Sequence, residues 1–231
     1  MKPADFPTRT RAAIFDFDET MIDLEPQHTR AYEELCRALG SDYAAMPESF
    51  RKGSGRRVID DIHELRSFFG WTGDVQTLFA QRQRIFDRAC EEAELRLMEG
   101  VERTVRALHA KGLALAVASS SVAASIEAIL RRTSLRELFA AIVDGSQVQR
   151  GKPDPEAYLV TARVLGVEPG QCIVFEDSHV GVIAAKRAGM YTIGVRNPNA
   201  GELQDLSAAD IVLSSMSEVD PAWVTGSITA A

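Results

Sequence analysis

Apolar residues along the chain follow two rhythms. From residue 101 onward, short unbroken apolar runs alternate with stretches of helical period: "LALAVA" (113–118), "AAIV" (140–143), "CIVF" (172–175), "YTIGV" (191–195) and "DIVL" (210–213). Near-continuous hydrophobicity predicts strands buried on both faces, as in a parallel sheet covered by helices. Between the runs the spacing predicts helices over 101–111, 122–132, 154–166 and 179–188. Asp154 reads as an N-cap with Pro155 at the first helical position, and Gly166 and Gly189 read as helix stops. One more run, residues 12 to 17 within "AAIFDFDET", predicts a strand near the N-terminus.

The segment from about 23 to 97 keeps only the helical period, in "EPQHTRAYEELCRALG" and "DVQTLFAQRQRIFDRACEEAELRL". One strand, then a long helical stretch, then repeated βα units predict an α/β fold: a doubly wound parallel-sheet core with a helical insertion after its first strand. Two consecutive domains would leave the first strand without partners.

Composition narrows the function classes. A chain of 231 residues can bury a sizeable core. Its formal net charge of -7 argues against sequence-independent nucleic-acid binding, which depends on Lys and Arg neutralising phosphates. A small anionic substrate stays open, because a local positive cluster can hold one. The three cysteines, Cys36, Cys90 and Cys172, show no metal-ligand spacing and predict neither a disulfide framework nor a zinc site. No signal-peptide pattern or membrane-length apolar stretch is visible, so no membrane partner and a cytoplasmic location are expected.

The candidate chemistry lies at the strand ends. Asp16 and Asp18 are two apart, so an extended chain turns both to one side. In open α/β sheets ligands bind just beyond the carboxyl ends of the strands. Two carboxylates so close resist joint ionisation unless a cation or hydrogen bonds compensate, and Mg²⁺ suits oxygen ligands. Taken alone, the pair reads equally well as solvated loop acids capping the next helix. Two other strand ends and one helix start add to it: "VASSS" with Ser119, Ser120 and Ser121, "VFEDS" with Glu176 and Asp177, and "GKPDP", which places Lys152 just before a helix. Each has a bland reading, Ser121 as a helix cap or Lys152 as a solvated turn residue. Together at one sheet edge they point to a metal-assisted phosphate site.

In order, "DFDET", "VASSS", "GKPDPEAYL" and "VFEDSHVGVIAAKRAGM" resemble the four signature motifs of the haloacid dehalogenase superfamily. The resemblance is strongest to its β-phosphoglucomutase-like, sugar-phosphate phosphatase branch. It implies a Rossmann-like core over 1–22 and 98–231, and an all-helical cap domain over 23–97. It also implies a Mg²⁺-dependent phosphatase acting on a small phosphorylated metabolite, as a monomer. Asp16 would be the nucleophile that forms an aspartyl-phosphate, and Asp18 the general acid/base. Asp16, the Asp18 carbonyl, Asp177 and, assisting, Glu176 would hold the metal. Ser119, Ser120 and Lys152 would bind phosphoryl oxygens. In the cap, His28 matches a histidine found after the first motif, and Lys52 and Arg56 match positions that contact the sugar or its distal phosphate. A hexose-phosphate mutase is the alternative reaction, weakened by Ala123, where the mutase pattern has asparagine. A phospho-aspartate signalling module is the alternative of another class, opposed by the long insertion. Glu19 departs from the family pattern, which has glycine there, and asks a non-glycine residue to take a tight turn.

Overall fold

All six apolar runs form strands: β1 (Ala12–Phe15), β2 (Ala114–Ala118), β3 (Ala141–Val143), β4 (Cys172–Glu176), β5 (Tyr191–Val195) and β6 (Ile211–Leu213). The computed structural model describes residues 3, 6–51, 55–200 and 204–224. The strands pair in parallel in the order β3-β2-β1-β4-β5-β6. Among the described residues, eight α-helices connect or cover them: α1 (Glu25–Ala38), α2 (Glu48–Arg51), α3 (Val58–Phe69), α4 (Val75–Glu92), α5 (Val101–Ala110), α6 (Ala123–Arg132), α7 (Glu156–Leu165) and α8 (His179–Arg187).

Alternation along the central strands divides the core. Ala13 and Phe15 of β1 and Ile173 and Phe175 of β4 pack with Val105 and Leu108 of α5 and Ile129 of α6. Ala12, Ile14, Cys172 and Val174 face the other way, onto Tyr158 and Ala162 of α7 and Ala184 and Ala185 of α8. Helices on both faces make the sheet doubly wound, and the unbroken apolar runs are the sequence form of that burial. The Phe15 and Phe175 rings stack at 4.8 Å between centroids, locking β1 to β4 in register.

Helices α1 to α4 lie between β1 and β2 in the chain. Their inward face includes Tyr32 and Leu35 of α1, Ile62 and Leu65 of α3, and Leu78 and Phe86 of α4. Asp74 caps α4 by accepting from Thr77 N at 2.9 Å. Among the described residues, no helix is long and apolar enough to cross a membrane.

Two local expectations shift. β1 ends at Phe15 rather than residue 17, because the chain turns out of the sheet once Asp16 N has donated to Phe175 O at 2.9 Å. Met21 N then donates to Phe17 O, and Glu19 N to Ile22 O, both at 2.9 Å. In α7 the cap position falls to Pro155, one residue later than predicted. Proline has no N–H to offer, so Asp154 Oδ1 accepts from Glu156 N instead, at 3.0 Å.

Gly100 precedes α5 at φ 82°, and a Cβ there would overlap the backbone of Met216 and Ser217. Gly100→Ala is therefore expected to cost about 2–4 kcal/mol, from left-handed strain and overpacking combined. Urea denaturation checks this; an unchanged midpoint would show that residues 216–217 do not pack against this turn.

Candidate active site

In this strand order the sheet reverses direction of winding between β1 and β4, which opens a crevice at their carboxyl ends. Asp16 and Asp18 follow β1, while Glu176 ends β4 and Asp177 follows it. The register that sets Phe15 beside Phe175 puts Asp16 level with Glu176. The acids meet because two buried strands are in register.

Lys152, in the loop before α7, reaches into this group. Its Nζ donates to Asp16 Oδ1 and to Glu176 Oε1, each at 2.5 Å. Glu176 is fully buried, and both its oxygens are occupied. Oε1 also accepts from the Tyr158 hydroxyl at 2.9 Å, and Oε2 from Ser178 N and Oγ at 2.8 and 2.9 Å. Gly181 makes room for it, since a Cβ at that position would overlap the Glu176 carboxylate. Thr20 Oγ1 lies 2.8 Å from Asp177 Oδ1 and 3.2 Å from Asp16 Oδ2, bridging the other two acids.

One ammonium among three buried carboxylates leaves negative charge uncompensated. Burial pushes the Asp16 carboxyl up to about 7, with Lys152 opposing and Glu176 adding to the rise. Burial, then Glu176 and Asp16, push Asp177 well above the ordinary carboxylate range. One oxygen from each of Asp16, Glu176 and Asp177 lies within 4.8 Å of the others. An all-oxygen donor set with surplus negative charge fits a hard divalent cation.

Asp18 sits apart from this cluster. Its Oδ2 accepts from Ser121 Oγ and lies 3.7 Å from His28 Nε2, while its Oδ1 has no hydrogen-bond partner. Burial works to raise the Asp18 carboxyl, but hydrogen bonding and charge from His28 and Ser121 hold it below the usual value. His28 in turn is gripped by Arg82, which bonds its Nδ1. A guanidinium only donates, so Nδ1 accepts and the ring proton sits on Nε2, facing Asp18. Burial and the Arg82 charge lower the His28 pKa, favouring this neutral tautomer.

Asp16, Asp18, Asp177, Ser120, His28 and Arg56 line one cavity of about 350 Å³. Ser119, Lys152 and Glu176 stand behind that surface. Ser119 Oγ accepts from Ser121 N at 3.0 Å, and Ser120 Oγ donates to Gly55 O at 2.8 Å, joining core to insertion. Arg56 pairs with Glu64 and lies 3.6 Å from Asp61. Lys52 falls outside the described residues. Ser121, read as a helix cap, instead bonds Asp18, and Val122 takes the cap position of α6.

Glu19 adopts φ 62°, the turn its position demands. Its Oε1 accepts from Leu24 N, at the start of α1, at 2.8 Å, and its Oε2 lies 3.4 Å from Asn197 Nδ2. Burial pushes this carboxyl up to about 8.

Sequence reasoning passed over Thr20, Tyr158 and Arg82. Arg82 left a signal: the buried positions of α4 run Leu78, Arg82, Ile85, Phe86, placing a charge in the apolar phase. Thr20 and Tyr158 left none, since either residue is ordinary where it stands.

Comparison with known proteins gives the family and the fold. Residues 10–189 match the family model described as "Hydrolase: haloacid dehalogenase-like hydrolase". The chain is 33% identical over 222 residues to hexitol phosphatase B of Escherichia coli K12, covering 92% of this chain and 96% of that one. It is 28% identical to β-phosphoglucomutase of Bacillus subtilis, over 90% of this chain and 91% of the relative. The crystal structure of CbbY from Rhodobacter sphaeroides in complex with phosphate superposes with a TM-score of 0.78 at 27% identity, covering 90% of this chain and 96% of that one.

Lys152→Met removes the one cation that Asp16 and Glu176 share. The expected loss is about 3–5 kcal/mol, because two buried carboxylates are left facing each other. Urea denaturation without added divalent cation measures it. Stability within about 1 kcal/mol of wild type would show that the acids are not held ionised by Lys152.

Proposed function

The chain belongs to the haloacid dehalogenase-like hydrolase family, and from that premise we propose that it is a Mg²⁺-dependent phosphatase. Its substrate is a small phosphorylated metabolite, a sugar or polyol phosphate monoester, hydrolysed through an aspartyl-phosphate on Asp16. The observation that carries this reading is the contrast between the two acids after β1. Asp16 is pinned by Lys152 and Thr20, whereas Asp18 keeps Oδ1 unpartnered in the same cavity. One acid is held still to attack, and the other is left ready to exchange a proton.

In the first half-reaction an Asp16 oxygen attacks phosphorus while the bond to the alcohol oxygen breaks, and Asp18 supplies the proton that the alcohol carries away. Asp18 must enter this step protonated. The negative charge of an arriving phosphate opposes the hydrogen bonds that lower its pKa and favours that form. In the second half-reaction Asp18, now a carboxylate, takes a proton from water as the water oxygen attacks phosphorus and Asp16 is released. His28, neutral and held by Arg82, keeps its Nε2–H beside Asp18 Oδ2 and fixes the direction of Oδ1.

Lys152 and Ser119 orient the phosphoryl oxygens, with the backbone N–H of Ser120. Glu176, with four donors on its two oxygens, serves the site by holding Lys152 and Ser178. Mg²⁺, held by Asp16, Asp177 and the Asp18 carbonyl, would neutralise phosphoryl charge when bound. Residues 23–97 act as a cap that excludes water, and Ser120 with Gly55 is one of its contacts with the core.

Asp16→Asn is expected to abolish phosphate release from an aryl phosphate in the presence of Mg²⁺, and chelation of the wild type to do the same. Asp18→Asn should lower kcat by about 10²–10⁴ on a sugar phosphate, and less on an aryl phosphate whose leaving group needs no proton. Wild-type activity in Asp16→Asn would sink the nucleophile assignment. Isomerisation of glucose 1-phosphate, primed by a bisphosphate and releasing little phosphate, would turn the reading to a mutase.

A further inference from the structure

Two charged residues interrupt the apolar phase of the inserted helices. Arg82 on α4 bonds His28 Nδ1 through one terminal nitrogen, although its Nε has no hydrogen-bond partner. Asp61 on α3 lies between Val58, Ile62 and Leu65 on the buried face, only 6% exposed. Its Oδ1 makes no hydrogen bond, and Arg56 Nε lies 3.6 Å away. The Arg56 guanidinium is also drawn to Glu64.

Tyr32 on α1 repeats the pattern. It is 5% exposed, its ring packs 4.8 Å from the Arg82 guanidinium carbon, and its hydroxyl has no partner. Tyr32 and Asp61 line the cavity that contains Asp16 and Asp18. Buried polar atoms are rarely left unpaired in native structures, because an unmade hydrogen bond forfeits solvation without replacement. Two such atoms on residues that line one cavity mark a place where a ligand completes the bonding.

The chemistry of the pair narrows the ligand. A tyrosine hydroxyl both donates and accepts. Burial pushes the Asp61 carboxyl up to about 7, with Arg56 opposing, so near neutrality it too can donate or accept. A second phosphate would meet this carboxyl, and would meet an arginine already engaged by two acids. Alcohol groups match both partners. We propose that Tyr32 and Asp61 form a hydroxyl-reading subsite for the distal end of the substrate, selecting a polyol monophosphate over the corresponding bisphosphate. The proposal rests on the hydrolase reading above. It makes Arg56 a charged neighbour of Asp61 rather than a distal-phosphate contact.

Mannitol 1-phosphate and mannitol 1,6-bisphosphate differ only in the distal group, so the pair isolates the subsite. With Mg²⁺ present at pH 8, where Asp61 is largely ionised, the wild type should favour the monophosphate in kcat/KM by about tenfold or more. Tyr32→Phe should raise KM for mannitol 1-phosphate about tenfold with little change in kcat. Asp61→Asn should shrink the discrimination against the bisphosphate by about tenfold. Neither substitution should alter kinetics on an aryl phosphate, which also reports that both variants fold.

Equal or better use of the bisphosphate by the wild type would overturn the proposal. So would variants that affect the aryl phosphate as strongly as the hexitol phosphate. If no phosphate is released from any of the three compounds, the hydrolase reading itself fails. Calorimetric binding of the two mannitol phosphates to the wild type then decides the subsite. Tighter monophosphate binding supports it, and equal or tighter bisphosphate binding rejects it.

Discussion

A single lysine ammonium held between two buried carboxylates is the constraint around which the site is organised. Lys152 touches Asp16 and Glu176 at 2.5 Å each, in surroundings where neither acid can reach water freely. Coulomb attraction is strong there because the dielectric is low, and so is the penalty for misplacing either charge. The fold meets this demand with its stiffest parts. β1 and β4 are buried on both faces and locked in register by Phe15 on Phe175, so the acids at their ends can diverge little. The residual negative charge, shared with Asp177, makes the cluster a donor set that fits a hard cation.

Much of this was legible in the chain. The six strands were visible because a doubly covered parallel sheet writes its burial as unbroken apolar runs, and the acids were visible because charge at the end of such a run is unusual. What could not be read was how side chains would be partnered. "VASSS" offers three hydroxyls in a row, and nothing in the string says that the third reaches Asp18 while the second reaches the inserted helices. Boundaries slipped for local reasons: β1 stopped where the turn to Asp18 began, and Pro155 took the cap position from Asp154. Arg82 and Asp61 were discoverable, as charges in the apolar phase of α4 and α3, but a helical period by itself does not say which buried charge faces a cavity.

The inserted helices are more than a cover. Through Arg82 and His28 they reach the oxygen of Asp18 opposite the one left unpartnered, so the setting of this core acid depends on side chains supplied by α1 and α4. Glu19 works at the junction of the two parts. It accepts a left-handed backbone that glycine would take without strain, and its carboxylate ties the entry of α1 to the loop after β5. The turn residue that breaks the family pattern is thereby a brace at the base of the insertion.

Gly181 has a consequence for how this chain can change over evolutionary time. Any side chain there would occupy the space of the Glu176 carboxylate, and Glu176 holds Lys152. The two positions therefore behave as one heritable character. A lineage that acquires a larger residue at 181 must first, or at the same moment, surrender the acid at 176, and with it the partner that keeps the lysine in place.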